Sequence, residues 1–250
     1  MSLYQNPAIL SGFTKLIAAE STRHGGISPA PFTSLNLGIN TTDDPENVLE
    51  NRRRFFQALG VEAGEEHFAS SHQVHGTAIL YATEAGRFDG YDALITDTPG
   101  LLIGVTVADC VPILVYDKAN QAVAAVHAGW RGTSGGIVRK TLEAMQQQFG
   151  TTANQCYAYV GTCIDMTSFE VGPEVAEQFA PEFRQIDLAT QKDCVNLKAA
   201  NRQQLVDWGI PANQVGVSPF STVLNNGDYF SYRAEKGQTG RMLVVIGINP

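Results

Sequence analysis

Three apolar runs follow one another closely in the middle of the chain, and they limit the possible folds more than any other feature. They are residues 101–107, 111–116 and 122–127, with the sequences LLIGVTV, VPILVY and AVAAVH. Each run is short and rich in β-branched residues, which is typical of buried strands. Residues 153–160 and 242–248 are predicted to be further strands. The core is therefore predicted to form around β-sheet.

Helices are predicted between these strands. The clearest begins with Asp44 as cap and Pro45 at its first position, continues through NVLENRRRFFQAL and ends at Gly60. The other predicted helices are IVRKTLEAMQQQF up to Gly150, residues 173–180 and residues 196–208. Strands and helices mix without strict alternation. We therefore predict an α/β (α+β mixed) fold, a single compact domain over residues 1–250 with mixed β-sheets flanked by helices.

Charge and composition exclude several classes of protein. The net charge is -8, which argues against binding nucleic acid or an anionic membrane surface over a broad area. There is no apolar run long enough to span a bilayer and no basic leader before an apolar segment. The four scattered cysteines are expected to be reduced thiols. We expect a cytoplasmic protein, a monomer or small homo-oligomer, without nucleic-acid or membrane partners.

The chain has five histidines, and two of them lie where strand ends meet turns: His75 in SSHQVHG and His127 in VHAGWRG. Cys110 lies between them, in the break between two apolar runs. Two imidazoles and one thiolate are ligands that zinc prefers, and three protein ligands leave a position free for catalysis. His72 competes with His75, and we choose His75 because it precedes the turn-forming Gly76. The alternative is that these residues are packed or exposed singly.

The segment GWRGTSGG follows His127 directly and precedes a predicted helix, where free backbone N–H groups favour an anion. Gly129, Gly132 and Thr133 are candidates for holding a phosphate group through their backbone N–H groups, and Arg131 is the candidate clamp. The alternative is an ordinary glycine-rich turn with a solvated arginine. Trp130 either stacks on a ligand or packs in the core, and we favour the core.

Three other sets of residues have two interpretations each. Asp109 either supports the metal ligands and carries a proton, or is a strand-end residue bonded to the backbone. Arg233, which follows aromatic residues in a possible hairpin, is either a surface charge or a second anion ligand. Arg52, Arg53 and Arg54 cannot all face one way, and one is expected to be buried in a salt bridge. Cys156, Cys163 and Cys194 are expected to be small buried residues.

The motifs QVHG, DALIT, VADCVPILVYD and HAGWRGT, in this order, resemble the YfiH family, also called the laccase-domain or multicopper-polyphenol-oxidase-like family. The resemblance extends over nearly the whole chain, from TRHGGIS at 22–28 to FSYR at 230–233 and GR at 240–241. It implies a YfiH-like domain with the metal ligands His75, Cys110 and His127. The chain departs from the family pattern at Thr162, Ser221 and Ala234, which weakens a second thiol role near Ser221 and a two-arginine clamp at Arg233.

The resemblance also implies activities. Family members are similar to purine nucleoside phosphorylases that also deaminate adenosine, and they have been linked to phenol oxidation and to editing of peptidoglycan precursors. Five histidines are too few for the copper centres of a true laccase. From the resemblance we predict a zinc-dependent purine nucleoside phosphorylase for adenosine, inosine and methylthioadenosine that also has adenosine deaminase activity. Copper is the alternative metal, and Asp109, Cys110 and Arg131 are the predicted catalytic residues. Hydrolysis of peptidoglycan precursors, polyphenol oxidation and a non-enzymatic metal-binding module remain alternatives.

Overall fold

A computed structural model describes residues 2–61 and 64–250. Within these residues the strands are β1 (Tyr4–Gln5), β2 (Leu16–Ser21), β3 (Phe68–His72), β4 (Ile79–Tyr81), β5 (Gly86–Asp89), β6 (Ala93–Thr96), β7 (Leu102–Val107), β8 (Val111–Asp117), β9 (Ala122–Ala128), β10 (Cys156–Val160), β11 (Glu170–Val171), β12 (Arg184–Ile186), β13 (Asp193–Val195), β14 (Val215–Val217) and β15 (Met242–Ile248). The α-helices are α1 (Pro45–Ala58), α2 (Trp130–Ser134), α3 (Ile137–Phe149), α4 (Pro173–Ala176) and α5 (Leu197–Asp207).

The strands form three sheets, two of them large. The first sheet has the order β1-β2-β15-β7-β3-β5, and the second has the order β14-β10-β8-β9-β6-β4. Both large sheets contain parallel and antiparallel pairs, and a small third sheet has the order β11-β13-β12. The predicted mixed α/β fold is confirmed.

The two large sheets pack face to face, with helices on their outer faces. Along β8, Leu114 and Tyr116 belong to the core between the sheets, whereas Ile113 and Val115 belong to the core under α3 and α5. The outer face of the first sheet packs against Phe55 and its neighbours on α1. Because successive side chains point to opposite faces and both faces are buried, these strands are continuously apolar. The order of the layers is helix, sheet, sheet, helix.

Helix α1 begins and ends as predicted. The Asp44 side chain accepts from the N–H of Glu46, Pro45 opens the helix, and Gly60 lies just beyond its end with a φ of +75°. Arg52 is the buried member of the arginine run. It pairs with Glu65, and its guanidinium lies over the rings of Phe56 and Phe68. No helix among residues 2–61 and 64–250 is long and apolar enough to cross a membrane.

Replacing Arg52 with alanine is expected to lower the free energy of unfolding by about 2–3 kcal/mol, because it removes cation–π contacts and leaves the carbonyl of Leu37 without its donor. That carbonyl accepts from Arg52 Nη1 at 2.9 Å. Chemical denaturation of Arg52→Ala beside Arg53→Ala checks this. Arg53 is 61% exposed on the same helix and should matter little. Equal losses of unfolding free energy in the two variants would contradict a structural role for the buried Arg52.

Some predicted boundaries are wrong. The helix expected over residues 173–180 is a single turn, α4, since the chain tightens into i to i−3 bonds and Phe179 turns into the core before Pro181. Residues 153–155 form a 3-10 turn before β10 instead of its first residues. The glycine segment after His127 is not a loop, because α2 occupies its middle. Arg233 lies in consecutive turns, not in a hairpin.

Candidate metal centre and substrate cavity

The three candidate ligands lie at one end of the sandwich, where the chain passes between the two large sheets. His75 follows β3 of the first sheet on the way to β4 of the second. Cys110 lies in the connection from β7 of the first sheet to β8 of the second, and His127 is near the end of β9. The sheet packing therefore brings together residues that are far apart in sequence.

The structure places the donor atoms of His75, Cys110 and His127 within 4.8 Å of one another. The two imidazole rings meet edge to face with centroids 4.8 Å apart. His127 is buried, Cys110 is half-buried and His75 is exposed. The cluster is thus held by the protein on one side and open on the other, as in sites that keep a coordination position for substrate or water.

A buried carboxylate, Asp92, holds two of the three ligand segments. Its Oδ1 accepts from His127 Nδ1 at 2.7 Å and from the backbone N–H of His75 at 2.9 Å, and its Oδ2 accepts from the N–H of Gly76 at 2.7 Å. The bond to Nδ1 leaves Nε2 of His127 for the metal. His75 has a φ of +60°, an unusual backbone conformation that these bonds help to maintain.

The charged groups of the cluster shift one another's pKa values towards the charged forms. Burial alone would raise the pKa of Cys110, but the charges and hydrogen bonds of His127 and His75 outweigh it and lower the pKa below that of a free thiol. Burial would lower the pKa of His127, but the Cys110 thiolate and Asp92 raise it. Asp92 keeps a lowered pKa despite its burial, through hydrogen bonds from His127, Gly76 and Val74. Cys110 is therefore readily available as a thiolate ligand.

Gly129 leaves the cluster the space it occupies. A Cβ at this position would lie 2.9 Å from His75 Cδ2 and 3.3 Å from Cys110 Sγ, too close for a side chain without displacing the ligands. Together with a donor set of two imidazoles and a thiolate, this cradle fits one transition-metal ion. Gly129 thus has a steric reason for being glycine next to the cluster.

A cavity of about 570 Å³ opens over the cluster. Trp130 and Arg131 line it, and the Arg131 guanidinium lies 4.4 Å from the centre of the Trp130 ring. Gly132 and Thr133 are buried, and the Thr133 hydroxyl donates to the Gly129 carbonyl and accepts from Asn201. Of the expected phosphate segment, Arg131 faces the cavity, whereas Gly129, Gly132 and Thr133 lie outside its lining because α2 turns them inwards.

Asp109 and Arg233 line the same cavity. Asp109 has a φ of +88°, and its carboxylate accepts from Thr222 Oγ1 at 2.5 Å, Ser231 Oγ at 2.8 Å and the Arg233 N–H at 2.6 Å. The Arg233 side chain donates to the carbonyls of Ser168 and Glu170. Asp109 therefore holds the segment that carries Arg233 beside the candidate ligand Cys110.

Sequence reasoning missed Asp92, Arg87 and Arg241. Asp92 is the first residue of the DALIT motif, and this position was a signal that could have identified it. Arg87 and Arg241 also line the cavity. Arg241 lies in GR at 240–241, a segment that carries the resemblance but has no chemical pattern of its own, and Arg87 lies in no motif. Of the other histidines, His72 pairs with Asp89 at 2.8 Å instead of joining the cluster. Cys156, Cys163 and Cys194 are buried free thiols, as predicted.

Two imidazoles and a thiolate beside an arginine-rich cavity form a candidate metal site in a two-sheet sandwich. The family described as multi-copper polyphenol oxidoreductase laccase matches residues 17–249. The chain belongs to this family.

Relatives and solved structures cover nearly the whole chain. It is 40% identical over 232 residues to a purine nucleoside phosphorylase of Deinococcus radiodurans, covering 92% of this chain and 88% of the relative. It is 36% identical over 230 residues to the purine nucleoside phosphorylase YfiH of Escherichia coli, covering 90% of each. The crystal structure of YlmD from Geobacillus stearothermophilus matches with a TM-score of 0.91 at 32% identity, over 100% of both chains.

Proposed function

We propose that the protein is a zinc-dependent purine nucleoside phosphorylase that also deaminates adenosine. The observation that carries the proposal is the position of the His75, Cys110 and His127 cluster at the base of a cavity rich in guanidinium groups. Relatives at 36–40% identity that bear the name purine nucleoside phosphorylase support the activity. A nucleoside and an oxyanion are ligands that such a cavity can hold together.

The cluster would hold zinc through His75, Cys110 and His127, and the ion would supply a Lewis acid for polarising bound substrate or activating water. Multi-copper chemistry has little support despite the family's name. Among residues 2–61 and 64–250 this is the one group of three or more candidate ligands close enough to share a metal. A mononuclear centre together with a trinuclear one requires many more ligands.

In phosphorolysis a phosphate oxygen forms a bond to C1′ of the sugar while the bond from C1′ to the purine nitrogen breaks, and the purine leaves with a proton. Arg131 and Arg233 are the proposed phosphate ligands, because guanidinium groups bind oxyanions through paired N–H donors. Trp130 and Phe169 hold these two guanidinium groups against their rings. The arginines contribute mainly by placing phosphate and balancing its charge near the sugar.

Asp109 acts in this proposal as a positioning residue. Both oxygens of its carboxylate already accept hydrogen bonds, two from hydroxyl groups and one from the N–H of Arg233. These contacts favour a role in placing Arg233 over a role as a free proton carrier. Cys110 is proposed to act as a metal ligand.

The test is product analysis of purified, metal-quantified protein with adenosine, with and without phosphate. Adenine and ribose 1-phosphate that form only with phosphate would support the phosphorylase, and inosine would support the deaminase. Absence of turnover from a folded, zinc-loaded sample would overturn the proposal. Inosine alone, with or without phosphate, would retain the deaminase and reject the phosphorylase.

Replacing Arg131 with alanine is expected to raise the KM for phosphate about tenfold, because one charge-assisted pair of hydrogen bonds is lost from an exposed side chain. The KM for adenosine at saturating phosphate should change less. Steady-state kinetics with each substrate varied in turn measure both. Arg139→Ala is the control, since Arg139 is 63% exposed on α3 and lies outside the cavity lining. An unchanged KM for phosphate in Arg131→Ala would remove Arg131 from the phosphate site.

A further inference from the structure

The cavity is strongly basic although the chain is acidic. The net charge of the chain is -8. Among the described residues, the cavity is lined by one carboxylate, Asp109, and by the arginines Arg52, Arg87, Arg131, Arg233 and Arg241. A cavity of one sign in a protein of the opposite sign concentrates ligands of complementary charge. The cavity has more guanidinium groups than are needed to bind one inorganic phosphate ion.

Most of these guanidinium groups have neutral partners. Arg52 pairs with Glu65, but Arg87 donates to the side-chain oxygen of Asn40 at 2.5 Å. Arg241 donates from Nη1 to the carbonyls of Thr239 and Gly240 at 2.8 and 2.9 Å. No ion pair to a carboxylate forms at Arg87 or Arg241 within the part of the chain that the structure describes.

Arg87 and Arg241 share one wall of the cavity, which we call the Arg87 wall. The segment 38–40 joins them: a Cβ on Gly38 would meet Arg241 Cγ at 2.6 Å, and Asn40 bonds to Arg87. Arg131 and Arg233 pack on other rings, those of Trp130 of α2 and of Phe169. The Arg241 guanidinium lies 5.6 Å from the centre of the Tyr232 ring, next to Arg233 in the sequence, so the Arg87 wall adjoins the segment that carries Arg233.

Arg241 is prepared to bind an oxyanion. Both of its hydrogen bonds use Nη1, so the edge formed by Nε and Nη2 has no protein acceptor among the described residues. That edge is the one that binds an oxyanion with two parallel hydrogen bonds. Burial lowers the pKa of Arg241 and outweighs the opposing effect of nearby groups such as Cys110 and Asp109, which reflects the cost of a partly desolvated cation. A bound anion would offset that cost.

We propose that the Arg87 wall binds a second phosphate group, one carried by the substrate itself, so that the cavity accepts purine nucleoside 5′-phosphates as well as nucleosides. This inference rests on the proposed function, which places the free phosphate at Arg131 and Arg233. It follows from the presence of Arg87 and Arg241, in addition to Arg131 and Arg233, in one cavity of about 570 Å³. A nucleoside 5′-phosphate carries its phosphate group at the end of the ribose remote from the base. One nucleotide would therefore contact the cluster of His75, Cys110 and His127 and the Arg87 wall together.

The experiment compares the binding of inosine and of inosine 5′-monophosphate, which have no amino group to lose, to zinc-loaded protein by calorimetry, without inorganic phosphate. The nucleotide is expected to bind about tenfold to a hundredfold more tightly, because it gains charge-assisted hydrogen bonds from the Arg87 wall. The advantage should shrink as salt is raised. In Arg87→Ala the ratio of the two dissociation constants is expected to fall towards one. Arg139→Ala should keep the ratio of the unaltered protein.

Two results would overturn the proposal: equal affinity for nucleoside and nucleotide, and a nucleotide advantage that persists in Arg87→Ala. If the persisting advantage is lost in Arg131→Ala, the nucleotide phosphate lies on Arg131 instead. Because binding is measured without turnover, failure of the phosphorylase assay is separate: a protein that forms no adenine but prefers the nucleotide through Arg87 would reject the phosphorylase and retain this site.

Discussion

Replacing Cys110 with alanine is expected to reduce bound zinc from about one ion per chain to a small fraction of that, and to lower adenosine phosphorolysis about a thousandfold. The thiolate is the one anionic ligand of the cluster, and it lies against both imidazoles. Without it, two histidines hold the metal weakly. Loss of a Lewis acid removes several kcal/mol of transition-state stabilisation, and each 1.4 kcal/mol corresponds to about a factor of ten in rate.

The measurements for this variant are metal content by elemental analysis, far-UV circular dichroism and the product assay. Cys194→Ala is the matched control, because Cys194 is a buried free thiol on β13 that lies outside the cavity lining. It should lose some stability and keep its metal. A folded Cys110→Ala protein with full metal content and full activity would show that the cluster is not the functional centre.

Replacing Asp92 with alanine is expected to lower the free energy of unfolding by about 3–5 kcal/mol and to weaken zinc binding about tenfold to a hundredfold. Asp92 is fully buried, and its removal leaves His127 Nδ1 and the backbone N–H groups of His75 and Gly76 without an acceptor. The stability loss comes from these unpaired groups. The loss of metal affinity comes from the free rotation of His127 and the relaxed conformation at His75.

Asp117→Ala separates the two effects. Asp117 is also fully buried and accepts from the N–H groups of Ala119 and Asn120 in the turn after β8, away from the cluster. It should lose stability and keep its metal affinity. Asp92→Asn tests the charge, because it retains the shape but presents an amide to some of the donors. Chemical denaturation and competition with a chelator measure the two quantities. Equal zinc affinity in the Asp92 and Asp117 variants would contradict a positioning role for Asp92.

Local patterns in the sequence predicted much of this fold. The apolar runs at 101–107, 111–116 and 122–127 correspond to β7, β8 and β9, since residues buried on both faces of a strand leave a continuous signal. The cap at Asp44 and the glycine after residue 149 marked the helix boundaries correctly. The errors fell on short turns, such as α4 and residues 153–155, where few local residues contribute and distant contacts decide.

The candidate site was predicted in part. His75, Cys110 and His127 were chosen for the chemistry of imidazole and thiolate, and the structure brings these three together. Arg87 and Arg241 were not chosen, because an arginine in sequence looks the same whether it faces solvent or a cavity. Gly132 and Thr133 were chosen for their backbone N–H groups, but they are buried in α2 and lie outside the cavity lining.

The sequence by itself determined which side chains are able to bind a metal and which segments are apolar enough to form buried strands, since both are properties of residues and their near neighbours. Only the tertiary structure decided that two connections between the sheets and the end of β9 meet at one point. It also decided that Asp92 holds two ligand segments. The physical reason is that convergence depends on how two sheets pack across distant parts of the chain, and local periodicity carries no information about that packing.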